Sequence, residues 1–254
     1  MMVAGQGAGR GRARDRADRR LVWDLPLRLF HWLLVASLFL LWLTQRLGYE
    51  HLTEIPAAFN LDWMTIHMWL GYWMLGLLVF RLLWGLVGPR HARFHSFFPL
   101  PRRVLAYVKG AAKPAGHNPL GAMMVFLMLG LIGLQAVTGL FTTDDVFTSG
   151  PFNQVTWLSP ETIAALSGLH HRLFNYILAA IAIHVLAIII YAVAFRHNLV
   201  GPMIHGYKSG SHVPMEDAIA SSHLLRAVVV IALSAAIVYA ILSLAPPPAE
   251  VPLY

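Results

Sequence analysis

Five long apolar stretches, separated by polar segments rich in Gly and Pro, limit the folds open to this chain more than any other feature. A bilayer core about 30 Å thick is crossed by roughly 20 apolar helical residues, and backbone groups in lipid must be hydrogen-bonded within the helix itself. The chain is 57% hydrophobic and 12% charged, whereas soluble domains carry about 25% charged residues. We therefore predict an all-α membrane protein whose five transmembrane helices cover Leu29–Trp42 (extending to Leu47), Met64–Val87, Leu120–Phe141, Leu169–Phe195 and Leu224–Leu244.

The basic residues alternate between successive loops and predict the orientation. Six arginines lie between Arg10 and Arg20, and further Arg and Lys residues follow the second and fourth helices. The segments Gly48–Asp62 and Thr142–Gly168 contain acidic residues but neither Arg nor Lys. Because basic loops stay in the cytoplasm, we expect a cytoplasmic N-terminus and an external C-terminus. The formal charge of +7 therefore reflects topology rather than nucleic-acid binding. No clean small-x-small cleavage site follows the first helix, so we expect the mature protein to retain it.

The absence of cysteine and an unusual supply of histidine narrow the chemistry. Without Cys, the chain forms no disulfide, iron–sulfur cluster or thioether-linked haem. Of the thirteen histidines, those in or at the border of predicted helices are His31, His67, His170, His171 and His184. Ionisable residues inside a membrane are costly and functional by default. A single such histidine is explained by an interhelical hydrogen bond, but several at matched depths need a common explanation.

Helical geometry selects which of these histidines belong together. At about 100° per residue, the rotation around the helix from His170 to His184 falls about 40° short of four full turns. The rotation from His171 to His184 falls about 140° short. His170 and His184 therefore share one face of the fourth helix, roughly 21 Å apart along its axis, and His171 points elsewhere. The predicted orientation places His67 with His170 near the outer surface, and His31 with His184 near the cytoplasmic surface.

Two facing imidazoles at each depth match the axial ligands of haem better than other sites. Zinc usually takes four ligands, often carboxylates or thiolates, and a proton relay would use acidic residues, which the apolar stretches lack. An iron porphyrin needs two axial nitrogens from opposite sides. The pattern therefore predicts two haem b groups, with the second nitrogen of each imidazole held by a backbone carbonyl or similar group. Gly71, one turn after His67, is expected to leave room for a porphyrin face, although close helix packing explains this glycine equally well.

Haem propionates need cationic or hydrogen-bonding neighbours near each membrane surface. Arg28, one turn before His31, is the candidate on the cytoplasmic side, and Arg172 and His171 are the candidates on the outer side. Anchoring to lipid headgroups is an equally good interpretation of each of these arginines. Arg81 lies deep in the second helix, where an arginine is costly, and we expect it to face the inner haem or the bundle interior.

Four segments carry a family resemblance: VWDLPLRLFHW at 22–32, HMWLGYWMLGLLVFRLLWGLVGPRHARF at 67–94, GHNPLGAMM at 116–124 and HHRLFNYILAAIAIHVLAIIIY at 170–191. They resemble the bacterial cytochrome b561 family, which is related to the cytochrome b subunits of nickel–iron hydrogenases and formate dehydrogenases. The resemblance covers residues 21 to about 208 and implies a four-helix core with two haems in the bacterial inner membrane. It implies His31 and His184 as the iron ligands of one haem, and His67 and His170 as those of the other.

The same resemblance implies a domain organisation and a function. Residues 1–20 are expected to form a cytoplasmic basic tail, 21–208 the di-haem domain, and 209–254 a C-terminal transmembrane helix with a periplasmic tail. This fifth helix departs from the four-helix pattern. The family implies electron transfer between quinone and a periplasmic partner such as a c-type cytochrome. Quinone is therefore a second candidate ligand of the chain, besides haem. The alternatives are the membrane anchor of a larger, hydrogenase-like oxidoreductase and a structural subunit of a membrane assembly.

Overall fold

The computed structural model describes residues 18–49, 62–110, 115–143, 149–211 and 213–247. Along these ranges the α-helices are α1 (Leu25–Tyr49), α2 (Trp63–Val87), α3 (Phe94–Phe97), α4 (Pro101–Val108), α5 (Pro119–Gly139), α6 (Pro160–Val193), α7 (Val200–His205) and α8 (Leu224–Ser243). Five of them, α1, α2, α5, α6 and α8, are long and apolar enough to cross a membrane. The predicted helical membrane fold is therefore confirmed.

Two of the spanning helices, α1 and α5, begin where a polar side chain caps them. Oδ1 of Asp24 accepts a 2.9 Å hydrogen bond from the backbone N–H of Leu27 in the first turn of α1. Oδ1 of Asn118 accepts one of 2.7 Å from the N–H of Gly121 in the first turn of α5. Such side-chain acceptors satisfy donors that have no partner within the helix. The caps explain why α1 begins before the apolar residues from which the span was predicted.

The described residues divide into two compact units, and the boundaries between them fall within the spanning helices. The first unit takes in the described residues within Met1–Phe30, Leu83–Phe126 and Ala182–Val228. The second unit takes in those within His31–Leu82, Leu127–Ile181 and Val229–Tyr254.

A small antiparallel sheet lies in the first unit and was not predicted. Its strands are β1 (Arg19–Leu21) and β2 (Tyr207–Ser209), with Arg20 opposite Lys208. The Nζ of Lys208 donates to the backbone carbonyls of Ala115 at 2.7 Å and Gly116 at 3.3 Å. Regular structure thus begins inside the segment expected to be a basic tail, and the expected domain boundaries at 20 and 208 both fall within this sheet.

The fifth spanning helix, α8, packs into both units. In the second unit, Val238 belongs to a buried apolar cluster with Leu75 of α2, Leu140 and Ile163. In the first unit, an Nη of Arg226 donates a 2.7 Å hydrogen bond to the carbonyl of Val87. The helix is therefore an integrated part of the fold and more than an appended anchor.

Candidate functional site

Two of the predicted site histidines line one cavity in the second unit. His67 of α2 and His170 of α6 border a space of about 340 Å³. Most of its other walls are apolar side chains of α1, α5 and α6, among them Leu41, Ile132 and Phe174. The cavity therefore joins two imidazoles, which come from different helices, in a largely hydrophobic setting.

The imidazole of His67 is oriented by α1. Its Nδ1 lies 3.0 Å from the backbone carbonyl oxygen of Leu41 and 3.1 Å from Oγ1 of Thr44. Since a carbonyl only accepts, Nδ1 carries the proton and donates it. The other ring nitrogen, Nε2, is then unprotonated and can bind a metal.

The imidazole of His170 is oriented in the same way by α5. Its Nδ1 donates a 2.9 Å hydrogen bond to the backbone carbonyl of Gln135, and Oγ1 of Thr138 lies 3.5 Å away. Nε2 lies 3.3 Å from the amide nitrogen of Gln135, a neutral side chain that can rotate. A backbone carbonyl thus holds the second nitrogen of both imidazoles, as predicted.

Glycines leave space beside these rings. A Cβ atom placed on Gly139 of α5 would lie 2.9 Å from Cε1 of His170, closer than a carbon contact allows. A Cβ on Gly71, which also lines the cavity, would meet no atom within 4 Å. Gly139 therefore permits the close approach of the His170 ring, and Gly71 faces open space within the cavity.

His171 and Arg172 lie at the exposed side of α6. Both side chains are exposed, and the ring of His171 stands at 83° to that of His170, with 6.0 Å between the centroids. His171 nevertheless contributes to the rim of the same cavity. It therefore differs in orientation from His170 and lies at the rim of the cavity, and its role toward a cofactor stays a prediction.

The remaining predicted site residues have the following settings. His31 of α1 and His184 of α6 are both partly buried, and their pairing stays a prediction. Arg28 donates through Nη1 to the backbone carbonyl of Ile204, in the first unit. Arg81 is only 2% exposed, so its guanidinium is enclosed by protein. Their roles toward a cofactor also stay predictions.

Sequence reasoning did not identify Thr44, Thr138 or Asp24. Thr44 and Thr138 lie beside the His67 and His170 rings and are 4% and 0% exposed. Asp24, which caps α1, also accepts a 2.9 Å hydrogen bond from Nε1 of Trp84 and is fully buried. Each threonine lies three residues after the residue whose carbonyl accepts from the imidazole, Leu41 or Gln135. This spacing can be recognised only when the helix that packs beside each histidine is known.

These residues fit a haem, whose iron His67 and His170 would hold through Nε2. Both imidazoles present Nε2 as the available nitrogen, the walls are largely apolar, and glycine leaves room along one face. Within the described parts of the chain, no group of three or more His, Cys, Asp or Glu side chains could hold a metal ion by itself. The two imidazoles from different helices are a donor set that suits a haem.

Comparison with known proteins also indicates a haem protein. The family model of prokaryotic cytochrome b561 matches residues 22–206. A probable Ni/Fe-hydrogenase B-type cytochrome subunit from Azotobacter chroococcum mcd 1 is 25% identical over 210 residues, which cover 74% of this chain and 87% of that protein. The corresponding subunit of hydrogenase 1 from Escherichia coli K12 is 24% identical over 221 residues, covering 77% of this chain and 93% of that protein.

A third relative, from Rhizobium leguminosarum bv. viciae and also named a probable Ni/Fe-hydrogenase B-type cytochrome subunit, is 25% identical over 207 residues. The matched part covers 73% of this chain and 87% of that protein. No solved structure gives a significant match. The family model spans most of the chain and includes all four histidines expected to bind iron, and the chain is therefore a multi-pass, haem-binding electron-transport protein of the prokaryotic cytochrome b561 family.

Proposed function

We propose that the chain is a di-haem cytochrome b in which His67 and His170 are the axial ligands of an outer haem b. The observation that carries this proposal is the shared cavity with its two matched imidazoles. Each donates Nδ1–H to a backbone carbonyl, at 3.0 Å from His67 and 2.9 Å from His170. Such a hydrogen bond fixes the tautomer and makes Nε2 a better metal ligand.

His31 and His184 are proposed as the ligands of an inner haem b. Their support is the helical register: His184 lies fourteen residues after His170 on α6, and therefore near the same face. Arg28 is the candidate neighbour for its propionates. One N–H of this guanidinium donates to the Ile204 carbonyl, and the buried Nε has no hydrogen-bond partner among the residues that the structure describes. Arg81 is proposed to face this inner site because its side chain is enclosed by protein in the C-terminal third of α2.

The two imidazoles at each site would leave no axial position for a substrate. Haem supplies reversible one-electron chemistry when bound, and bis-histidine ligation favours electron transfer over reaction at the iron. The chain itself binds the cofactor, orients the imidazoles and surrounds them with apolar side chains. We therefore propose that electrons pass across the bilayer between the quinone pool and a periplasmic partner such as a c-type cytochrome.

The proposed location is the bacterial inner membrane with a cytoplasmic N-terminus. The support is the charge pattern, since the loops that would face the periplasm lack Arg and Lys. In this orientation the His67–His170 cavity lies on the periplasmic side. An electron leaving toward a periplasmic partner would depart from this site.

A second candidate is the membrane anchor of a larger oxidoreductase. The names of the relatives favour it, because each is described as a probable B-type cytochrome subunit of a Ni/Fe hydrogenase. On this reading, the periplasmic partner is a catalytic hydrogenase subunit that remains bound. Purification from native membranes separates the two: a stoichiometric catalytic subunit supports the anchor, and a chain isolated alone supports exchange with a diffusing partner.

Haem quantitation on the purified chain, with a reduced-minus-oxidised spectrum, tests the proposal. We expect two haem b groups per chain. Alanine at either His67 or His170 should remove one haem. Because both residues are proposed to bind the same iron, the double variant should also lose only that haem. Alanine at His171 is the matched control, since it adjoins His170 and should leave both haems. A colourless wild-type chain, or loss of both haems only in the double variant, would contradict the assignment.

A further inference from the structure

We propose that Thr44 and Thr138 are positioning residues that tune the outer haem site through the Nδ1 atoms of His67 and His170, with Thr44 the stronger of the two. This inference rests on the proposed function, because it assumes that these two imidazoles bind iron. It adds a second acceptor to the hydrogen bond that each imidazole makes with a backbone carbonyl.

The geometry at Thr44 combines two contacts. Its hydroxyl donates to the carbonyl of Leu40 at 2.9 Å, four residues earlier in α1. Since the proton is used in that bond, the oxygen can only accept from His67 Nδ1, which lies 3.1 Å away. The Nδ1–H of His67 is therefore shared between Thr44 Oγ1 and the Leu41 carbonyl at 3.0 Å.

The same arrangement recurs on α5 around His170. The hydroxyl of Thr138 donates to the carbonyl of Leu134 at 2.7 Å, again four residues earlier. Its oxygen lies 3.5 Å from Nδ1 of His170, and the Gln135 carbonyl lies 2.9 Å from the same atom. In both helices a threonine thus follows three residues after the carbonyl that holds the imidazole.

Thr44 is expected to have the larger effect on the haem because its Oγ1 lies 3.1 Å from Nδ1 of His67, whereas Oγ1 of Thr138 lies 3.5 Å from Nδ1 of His170. The first distance is an ordinary hydrogen bond, and the second is at the outer limit of one. Both threonines are buried, so water is a poor substitute for either hydroxyl. An additional acceptor at Nδ1 makes the imidazole a stronger donor to iron and so favours the oxidised state.

Back-bonding of a buried hydroxyl to the fourth preceding carbonyl does not by itself indicate this role. Ser234 of α8 is 3% exposed and donates to the carbonyl of Val230 at 2.7 Å, yet no hydrogen bond joins it to a histidine among the contacts of the described residues. It therefore provides a matched control for the loss of a buried hydroxyl inside a spanning helix.

The test is a redox titration of the two haems in purified Thr44→Val, Thr138→Val and Ser234→Ala variants. Thr44→Val should move the outer-haem reduction equilibrium about two- to tenfold toward the reduced state, the size expected for one neutral hydrogen bond. Thr138→Val should move it in the same direction by less. Ser234→Ala should leave both haems unchanged, and the inner haem should not respond to any of the three variants. Thr44→Ser, which keeps the hydroxyl, should retain the wild-type potential.

An unchanged outer-haem potential in both threonine variants would overturn the inference, as would equal shifts in the two haems. If Thr44→Val does not accumulate, Thr138→Val decides alone: a shift of the outer haem toward the reduced state supports the inference, and an unchanged potential overturns it. Failure of the proposed function looks different, because the wild-type chain would then lack a haem whose loss follows substitution of His67 or His170.

Discussion

A Cβ atom added to Gly139 would lie 2.9 Å from Cε1 of His170. The ring cannot retreat freely, because its Nδ1 is hydrogen-bonded to the Gln135 carbonyl one turn earlier in the same helix as Gly139. We therefore expect Gly139→Ala to displace the imidazole and weaken binding of the proposed outer haem by about tenfold or more. Haem titration of the purified variant measures this. Gly130→Ala, on the same helix with no atom within 4 Å of the new Cβ, should bind normally; equal losses in the two variants would count against the steric argument.

Gly71 tests whether the cavity itself is the cofactor site. It lines the cavity and faces open space, so Gly71→Leu should fill part of the volume and remove the proposed outer haem, which lowers the haem content of the purified chain. Gly76→Leu is the control, because Gly76 lies on the same helix, also meets nothing within 4 Å, and is absent from the cavity wall. Retention of the outer haem in Gly71→Leu would show that the porphyrin does not occupy this space.

Asp24 is expected to matter for stability. Its Oδ1 accepts from the N–H of Leu27 and from the indole N–H of Trp84, each at 2.9 Å. Asp24→Ala removes a helix cap and leaves the indole donor without this acceptor in a buried place. We expect a loss of about 2–4 kcal/mol in the free energy of unfolding, measured by denaturant titration in detergent. Asp24→Asn keeps an oxygen acceptor and should lose less; an equal loss would point to the negative charge instead.

The sheet contains a lysine whose titration should affect stability. Burial lowers the pKa of Lys208 from 10.5 to about 8, and its Nζ lies 5.4 Å from the centroid of the Trp23 ring. Between these two pH values the unfolded chain binds more protons than the folded one, so stability should rise with pH across that window. Below pH 8 both states are protonated, and the cost of burying the charge is constant.

Melting curves of the wild type and of Lys208→Met between pH 7 and pH 10.5 check this. The wild type should gain stability relative to the variant as the pH rises above about 8. Methionine does not titrate, so it removes this contribution while it retains much of the apolar stem. Parallel pH profiles for the two proteins would mean that Lys208 does not titrate in this range.

Much of the fold could be predicted because lipid imposes simple rules on sequence. Runs of apolar residues had to be helices, and all five spanning helices are present. The starts of the helices were less predictable. α6 begins at Pro160, well before the predicted Leu169, because its first turns contain polar residues and begin after Ser159, whose Oγ accepts from the N–H of Thr162. Apolarity marks the membrane-buried part of a helix and says little about its extension beyond that.

The site was predictable to the level of its histidines. Their spacing on a helix of known pitch predicts that His170, rather than His171, shares a face with His184. The structure brings His67 and His170 to one cavity, and their binding of iron stays a prediction. The groups that hold the rings were not predictable. A backbone carbonyl looks the same at every residue, and Leu41 and Gln135 acquire their roles only when α2 packs beside α1 and α6 beside α5.

The hydrogen bonds between β1 and β2 have a consequence for how the chain is threaded. A ribbon of paired strands cannot straddle a bilayer, so residues 19–21 and 207–209 share one side, whichever side that is. The number of crossings between them must be even, and α1, α2, α5 and α6 provide four. Omission or addition of a single crossing would separate the strands. The two strands can therefore pair only when an even number of helices crosses the bilayer between them, and α8, a fifth crossing, then ends on the opposite side.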